Sequence, residues 1–395
     1  MTCPKGAVVA GHLCLDIFPS LRHLARGQFD LLFKPGRLIQ VGAAQFSTGG
    51  LVSNTGLALH RLGVPTRLIA KVGSDPFGQI VRDIVTRHGA FLVEGITVDP
   101  TAPTSYSVII SPPDMDRIFL HCPGANDTFS STDIAHDLVA QAALFHFGYP
   151  PLMRRMYTEA GKELVEVLKR AKATGATTSL DMSFPDSSSE SGEVDWRAIF
   201  KAALPYVDIF LPSLEEMLFT LSHRTYEQLG SGGPLLAQVT PALLAEVSIE
   251  LLEMGVKVVV LKLGDQGLYL RTGGRDGLAS LGRARPVDWL QWADREMWAP
   301  CFQVNVVGTT GAGDATIAGF LASLLRDLSP ERAMTMAVAV GACNVEAADA
   351  LSGLRTWEAT AARVAADWPR HALNIRATGW QWDATEALWF GPADT

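Results

Sequence analysis

"VVGTTGAGDATIAGFLASLL", Val306 to Leu325, puts Gly308, Gly311 and Gly313 in one turn, then a single carboxylate, Asp314, then a long apolar run. A glycine-dense turn entering a helix exposes backbone N–H groups with no side chain in the way. The helix N-terminus adds about half a positive charge, so the place suits an anion, most often phosphate. A P-loop is excluded because no lysine follows the glycines. A dinucleotide fingerprint would need a glycine near Thr316, an early place in the chain and a ribose-binding acid after the next strand, none of which is present. An acid beside a bound phosphate is unfavourable unless it has a task. With a substrate hydroxyl between them, Asp314 can accept its proton as the oxygen attacks phosphorus. The N–H groups of Ala312 to Asp314 would hold the charge on the transferred phosphoryl. Asp314, read as the first helical residue, is expected to stay ionised there and to be a weak base. The alternative open at this point is an N-cap aspartate on an ordinary tight turn.

Outward from this stretch, short apolar runs alternate with helical ones. "GAVVAGHL" (6–13), "TRLIAKVG" (66–73), "ALFHFG" (143–148), "ATTSLDMS" (176–183), "VDIFLPS" (207–213), "KVVVLKLG" (257–264) and "FQVNVVG" (302–308) read as strands. "SNTGLALHRLG" (53–63), "FGQIVRDIVTRHG" (77–89), "GKELVEVLKRAKATG" (161–175), "PALLAEVSIELLEMG" (241–255) and "ATIAGFLASLLRDL" (315–328) read as helices. The alternation predicts an α/β chain around a mostly parallel sheet, with ligands at the carboxyl ends of strands. The glycine turn after "FQVNVV" is read as one such end. Residues 17–48 and 101–121 lack helical period and alternate like exposed antiparallel strands, predicting a small β lid.

Composition narrows the classes. The 395 residues carry a formal net charge of −8, with no basic stripe, so nucleic acid is not an expected partner. No run of about 18 uncharged apolar residues suggests a membrane span. The apolar N-terminal run is broken by Asp16 and Pro19 and reads as a first buried strand rather than a secretion signal. The five cysteines are scattered, with no CxxC, which favours a cytoplasmic setting over a disulfide framework or a zinc site.

"TTGAGDATIAGFLASLL" (309–325) resembles the C-terminal signature of the pfkB family of carbohydrate kinases, whose fold is ribokinase-like. "STGGLVSNTGLALHRLGVPTRLIAKVGSDPFG", Ser47 to Gly78, resembles that family's N-terminal glycine signature. "FLPSLEEM" (210–217) and "VVLKLGDQGLYL" (259–270) fall between them in the family's order, so the resemblance spans roughly residues 5–355. It implies one three-layer α/β/α domain over residues 1–395 with a small β lid. It also implies ATP-dependent phosphoryl transfer, with magnesium, to a primary alcohol of a sugar or nucleoside.

By that resemblance Asp314 is the catalytic base, and Gly311, Ala312 and Gly313 form the anion hole. Asp16, Asn54, Gly49 and Gly50 match positions that bind substrate hydroxyls. Ser213 stands where the family commonly has asparagine in Asn-x-x-Glu, and Glu216 matches the acid, implied to hold magnesium through a water. Read from the residues, Ser213 and Glu216 also form a capping box, a compatible role. Lys262, Gly264, Gly267 and Thr309 match the nucleotide side, and Asn344 the helix that passes the base. Gly308 stands where many members have an acid that helps hold potassium, so potassium activation is not carried over. A homodimer through the lid is the family expectation. Two rivals stay open: a nucleoside kinase, with Phe46, Tyr106 and Phe119 available to sandwich a base, and a catalytically silent sugar-binding sensor.

Other features have competing readings. "GYPP" (148–151) is a rigid turn or a border of the substrate pocket. His12, His121 and His146 share no metal spacing and read as core or lid residues. Arg117 is a solvated turn residue or an anion contact. Residues 271–300, with Trp289, Trp292 and Trp298, read as an insertion beside the nucleotide site, whose tryptophans either cover the adenine or, as the default, serve surface packing or an oligomer contact. The extension 356–395, with Trp357, Trp368, Trp380, Trp382 and Trp389, is expected to dock on the protein's own body or on a sister subunit.

Overall fold

Ala7–Gly11 is buried at every position, a pattern that only a strand covered on both faces tolerates. The computed structural model describes residues 5–21, 35–36, 38–111 and 118–394. Its strands are β1 (Ala7–Gly11), β2 (Cys14–Ser20), β3 (Gly42–Gly49), β4 (Thr66–Gly73), β5 (Ile96–Asp99), β6 (Tyr106–Ile110), β7 (Ile118–Cys122), β8 (Leu144–Gly148), β9 (Thr177–Asp181), β10 (Ile209–Phe210), β11 (Val258–Lys262), β12 (Leu268–Thr272), β13 (Glu296–Ala299), β14 (Gln381–Asp383) and β15 (Leu388–Phe390).

The large sheet runs β14-β15-β13-β12-β11-β10-β9-β8-β1-β4-β5. From β11 to β5 every pairing is parallel, and from β11 to β14 every pairing is antiparallel. Successive strand residues face opposite layers. Val9, Val258 and Val260 pack with the helices Leu51–Arg61, Ala312–Leu325 and Pro330–Asn344. Val8, Ala10, Val259 and Leu261 pack with Lys162–Ala173, Trp196–Ala203 and Pro241–Glu253. The result is the expected three-layer α/β/α fold.

The lid is a four-stranded sheet ordered β3-β2-β6-β7. It is mixed rather than wholly antiparallel: β2 pairs β3 and β6 pairs β7 antiparallel, but β2 pairs β6 in parallel. Residues 22–34, 37 and 112–117 of the expected lid, Arg117 among them, lie outside the described residues. No described helix is long and apolar enough to cross a membrane.

Three stretches fold differently from their local pattern. "FQVNVVG" is not a strand of the sheet. Gln303 is instead tied to the C-terminal extension, its N–H donating to the Pro369 carbonyl (2.8 Å) and its carbonyl accepting from Trp368 Nε1 (2.9 Å), and Val306 and Val307 are exposed. Residues 271–300 begin in β12 and end in β13, with Trp292 and Trp298 buried. Between them Arg283 donates to the carbonyls of Val139, Ala142 and Thr174, at the amino ends of β8 and β9, the edge opposite the glycine turn. The extension docks on the protein's own body, as β15 pairs β13 and carries Leu388 into the core. Leu388→Ala should therefore cost about 2–5 kcal/mol, read as a lower denaturation midpoint. An unchanged midpoint would mean that the extension does not complete the sheet.

Candidate active site

The carboxyl ends of the parallel strands converge in a row, with Gly11 opposite Gly148 and Gly148 opposite Asp181. The glycines are needed there: a Cβ on Gly11 would lie 2.5 Å from the Gly148 carbonyl, and one on Gly148 would overlap Leu51. The glycine turn arrives at this edge. Gly311, left-handed at φ 70°, is the N-cap of the helix Ala312–Leu325, so Asp314 is the third helical residue, neither the first nor the cap. A Cβ on Gly311 would lie 2.6 Å from Ala350 Cβ. The Ala312 N–H turns back to the Thr309 carbonyl (3.2 Å). The N–H groups of Gly313 and Asp314 meet no acceptor among the described residues.

Asp314 is 3% exposed. Its surroundings are polar: Oδ2 accepts from Asn54 Nδ2 (3.1 Å) and from the Tyr149 hydroxyl (2.9 Å), and Oδ1 accepts from Thr55 Oγ1 (2.9 Å). Burial raises its pKa above the ordinary carboxylate range, opposed by the Lys262 ammonium and the three hydrogen bonds. The expected weak base is thus corrected: desolvation outweighs the helix end and the donors, and the carboxylate is more basic than a surface aspartate.

Each partner has a local cause. Gly50, at φ 87°, starts the helix Leu51–Arg61 directly after β3, which places Asn54 and Thr55 on its first turn and a half. Tyr149 follows β8 in the left-handed region, at φ 65°, an uncommon conformation for a bulky residue, and it aims the phenol at Asp314. "GYPP" is both a turn and part of the site.

Lys262, ending β11, pairs with Asp181, ending β9 (2.6 Å), and passes along Gly313, whose Cβ would sit 3.7 Å from Nζ. Burial raises the Asp181 pKa, with Lys262 opposing and Glu216 and Asp314 adding. Burial alone would lower that of Lys262, but Asp181, Glu216 and Asp314 reverse the sign and hold it protonated. Asp181 Oδ2 is buried with no partner among the described residues. Ser213 and Glu216 form the capping box in full, the Glu216 N–H donating to Ser213 Oγ (3.2 Å) and the Ser213 N–H to Glu216 Oε2 (2.7 Å). No trio of His, Cys, Asp or Glu converges as a metal cluster among the described residues.

The lid contributes Asp16. In register, Ser47, Asp16, Ser107 and His121 form one polar row across all four lid strands. A Cβ on Gly49 would overlap the Asp16 carboxyl, and one on Gly50 the His12 ring. His12 is fully buried with both ring nitrogens unpartnered among the described residues, 5.3 Å between ring centroids from His121 and 6.1 Å from Tyr149. Burial, then His121, keeps it neutral.

Other expected residues sit further back. Asn344 Nδ2 donates to the Ala350 carbonyl (2.6 Å), supporting the loop behind Gly311. Gly264 and Gly267 have positive φ and make the turn between β11 and β12. A Cβ on Gly308 would lie 2.9 Å from Ala348 Cα, so a side chain there has little room. Thr55 and Asp181 were not singled out from sequence. Asp181 stands at a strand's carboxyl end, where ligands bind in such sheets.

The family model for pfkB family carbohydrate kinases matches residues 20–357. An uncharacterized sugar kinase from Archaeoglobus fulgidus is 28% identical, over 75% of this chain and 98% of its own length. Fructokinase-1 from Zea mays is 25% identical, over 81% of this chain and 83% of its own. Among solved structures, Arabidopsis thaliana ribokinase complexed with ribose and ATP aligns at a TM-score of 0.67 with 20% identity, over 91% of this chain and 98% of that one. Fructokinase with bound ATP from Xylella fastidiosa aligns at 0.66 with 20% identity, over 92% and 99%. Both share this chain's fold.

A carboxyl ¹³C titration should place Asp314 above the ordinary midpoint of about 4. Tyr149→Phe should move it higher still, because the lost hydroxyl donates to the ionised form. A midpoint at or below 4 would contradict burial as the dominant influence.

Proposed function

The chain belongs to the pfkB family of carbohydrate kinases, and on that premise we propose that it transfers the γ-phosphoryl group of ATP to a primary hydroxyl of a neutral sugar held against its lid. The nest around Asp314 carries the reading. Oδ2 already accepts two hydrogen bonds, whereas Oδ1 accepts one and keeps a lone pair for an incoming hydroxyl. Oδ1 takes the proton as the acceptor oxygen bonds to phosphorus and the bond to the bridging oxygen of ADP breaks. A pKa raised toward working pH makes that transfer more effective than a surface aspartate would.

The N–H groups of Gly313 and Asp314, which meet no acceptor among the described residues and lie beside Lys262, are assigned to the charge that gathers on the transferred group. The unpartnered Asp181 Oδ2 and the neighbouring Glu216 suit a hydrated magnesium ion, which when bound neutralises the phosphates. Gly264, Gly267 and Thr309 are assigned to the nucleotide, and Asn344 to the loop that backs it.

On the sugar side, the polar lid row and the unpartnered His12 nitrogens match a ligand carrying hydroxyls on several faces. Register supports a sugar over a nucleoside. Phe46 and Tyr106 alternate to the face opposite Asp16, and only Phe119 of the three candidate rings shares its face. Phe46 and Leu120, exposed on that opposite face, are the surface we assign to a homodimer.

With ATP and magnesium, a panel of neutral sugars should yield ADP faster than a panel of nucleosides. Asp314→Asn should lower kcat about 10²–10⁴-fold while leaving sugar binding within a few-fold. Turnover of nucleosides alone would hand the site to the rival kinase, and sugar binding with no ADP from any acceptor would make it a sensor. Replacing sodium with potassium should leave the rate unchanged, given Gly308; activation of several-fold would show that carbonyls alone hold the ion.

A further inference from the structure

A cavity of about 960 Å³ lies on the flank of the molecule, between the helices Pro330–Asn344 and Trp357–Ala365 and the C-terminal extension. Much of its lining, including Trp368, Arg370, Trp382 and Trp389, lies beyond the stretch that the family model matches. Thr335 lines it midway along its helix, about 13 Å along the axis from Asn344. We propose that this cavity is a second carbohydrate site that takes a neutral mono- or oligosaccharide.

Three observations select that ligand class. Aromatic surface comes first: Trp382 is 45% exposed with Trp389 tilted 57° against it, and Trp357, packed under the Arg326 guanidinium on one face, also lines the cavity. Indole faces attract the polarised C–H bonds on the flat side of a sugar ring. The charges come second. Arg332 and Arg370 line the cavity together with Asp367 and Glu386, and none of the four is in an ion pair among the described residues. Two positive and two negative groups give no net formal charge to favour a phosphate or a carboxylate, but they offer donors and acceptors on several sides, as hydroxyls require. Preorganisation and room come third. The Arg370 guanidinium is held by the Thr335 hydroxyl (2.9 Å), the Pro300 carbonyl (3.3 Å) and the Phe302 ring (4.5 Å to its centroid). The volume is at the upper end for small-molecule sites, enough for more than one sugar ring.

The cavity wall also reaches the chemistry. Gln303 lines it, is bound to Pro369, Arg370 and Trp368, and runs on through the exposed Val306 and Val307 into Gly308. A ligand here would press on the segment that carries the glycine turn.

The test is calorimetric titration of the full chain with glucose, sucrose and maltotriose, in wild type, Asp16→Asn and Trp382→Ala. At least one saccharide should bind Asp16→Asn saturably, and adding Trp382→Ala to that variant should weaken the binding at least about tenfold, while Trp382→Ala alone keeps wild-type ADP-forming turnover. The indole ¹H–¹⁵N signals of Trp382 and Trp357 should shift along the same titration in wild type, a reading that does not depend on the Asp16 variant folding. Failure of every saccharide to move those signals overturns the proposal. So does binding that vanishes in folded Asp16→Asn, which would place all the sugar at the transfer site, and so does displacement by AMP of a ligand that ignores Trp382→Ala. Loss of the proposed kinase activity would leave these readouts untouched, so the two claims fail separately.

Discussion

A carboxylate with almost no water around it must share its charge with neighbours, and the geometry around Asp314 follows from that requirement. Three neutral donors come from two unrelated elements, Asn54 and Thr55 from the helix after β3 and Tyr149 from the end of β8. Lys262 supplies the opposing positive charge among the described residues and is itself held by Asp181, 2.6 Å away. Close approach of these elements depends on residues with no side chain: Gly148 admits Leu51, and Gly50 admits His12. Tyr149 keeps an uncommon backbone conformation, a cost of order 1–3 kcal/mol that the surrounding contacts must offset.

The same arrangement separates binding from chemistry. One face of the lid presents a polar row, Ser47–Asp16–Ser107–His121, and the alternation of a β-strand sends Phe46, Tyr106 and Leu120 to the other. The parallel strands end at the glycines and acids assigned above to the phosphates, and the helix Ala312–Leu325 brings to that edge the N–H groups of Gly313 and Asp314, which meet no acceptor among the described residues. In the proposed reading, sugar, base and phosphoryl group would meet where three elements converge, with each element contributing one kind of interaction.

Much of this was legible in the chain. Runs such as "KVVVLKLG" and "GKELVEVLKRAKATG" carry their periods openly, and the order of the glycine blocks marks the edge at which they converge. Other parts were not, for physical reasons. "FQVNVVG" alternates like a strand, but its hydrogen bonds go to the Trp-rich extension, a partner no local pattern can name. β14 and β15 have three residues each, too few for any period to show. Asp181 and Tyr149 gain meaning only through Lys262 and Asp314, which are distant in the chain. The basicity of Asp314 reversed the expectation because a helix end favours the ionised form by less than burial disfavours it.

The account is tested most directly by the structure of the protein with a turned-over sugar, ADP and aluminium fluoride as a mimic of the phosphoryl in flight. It predicts one primary hydroxyl oxygen about 2.6–3.2 Å from Asp314 Oδ1, in line with the mimic, whose fluorines meet the N–H groups of Gly313 and Asp314. A sugar whose hydroxyls all lie beyond reach of that carboxyl, with the mimic held elsewhere, would contradict it.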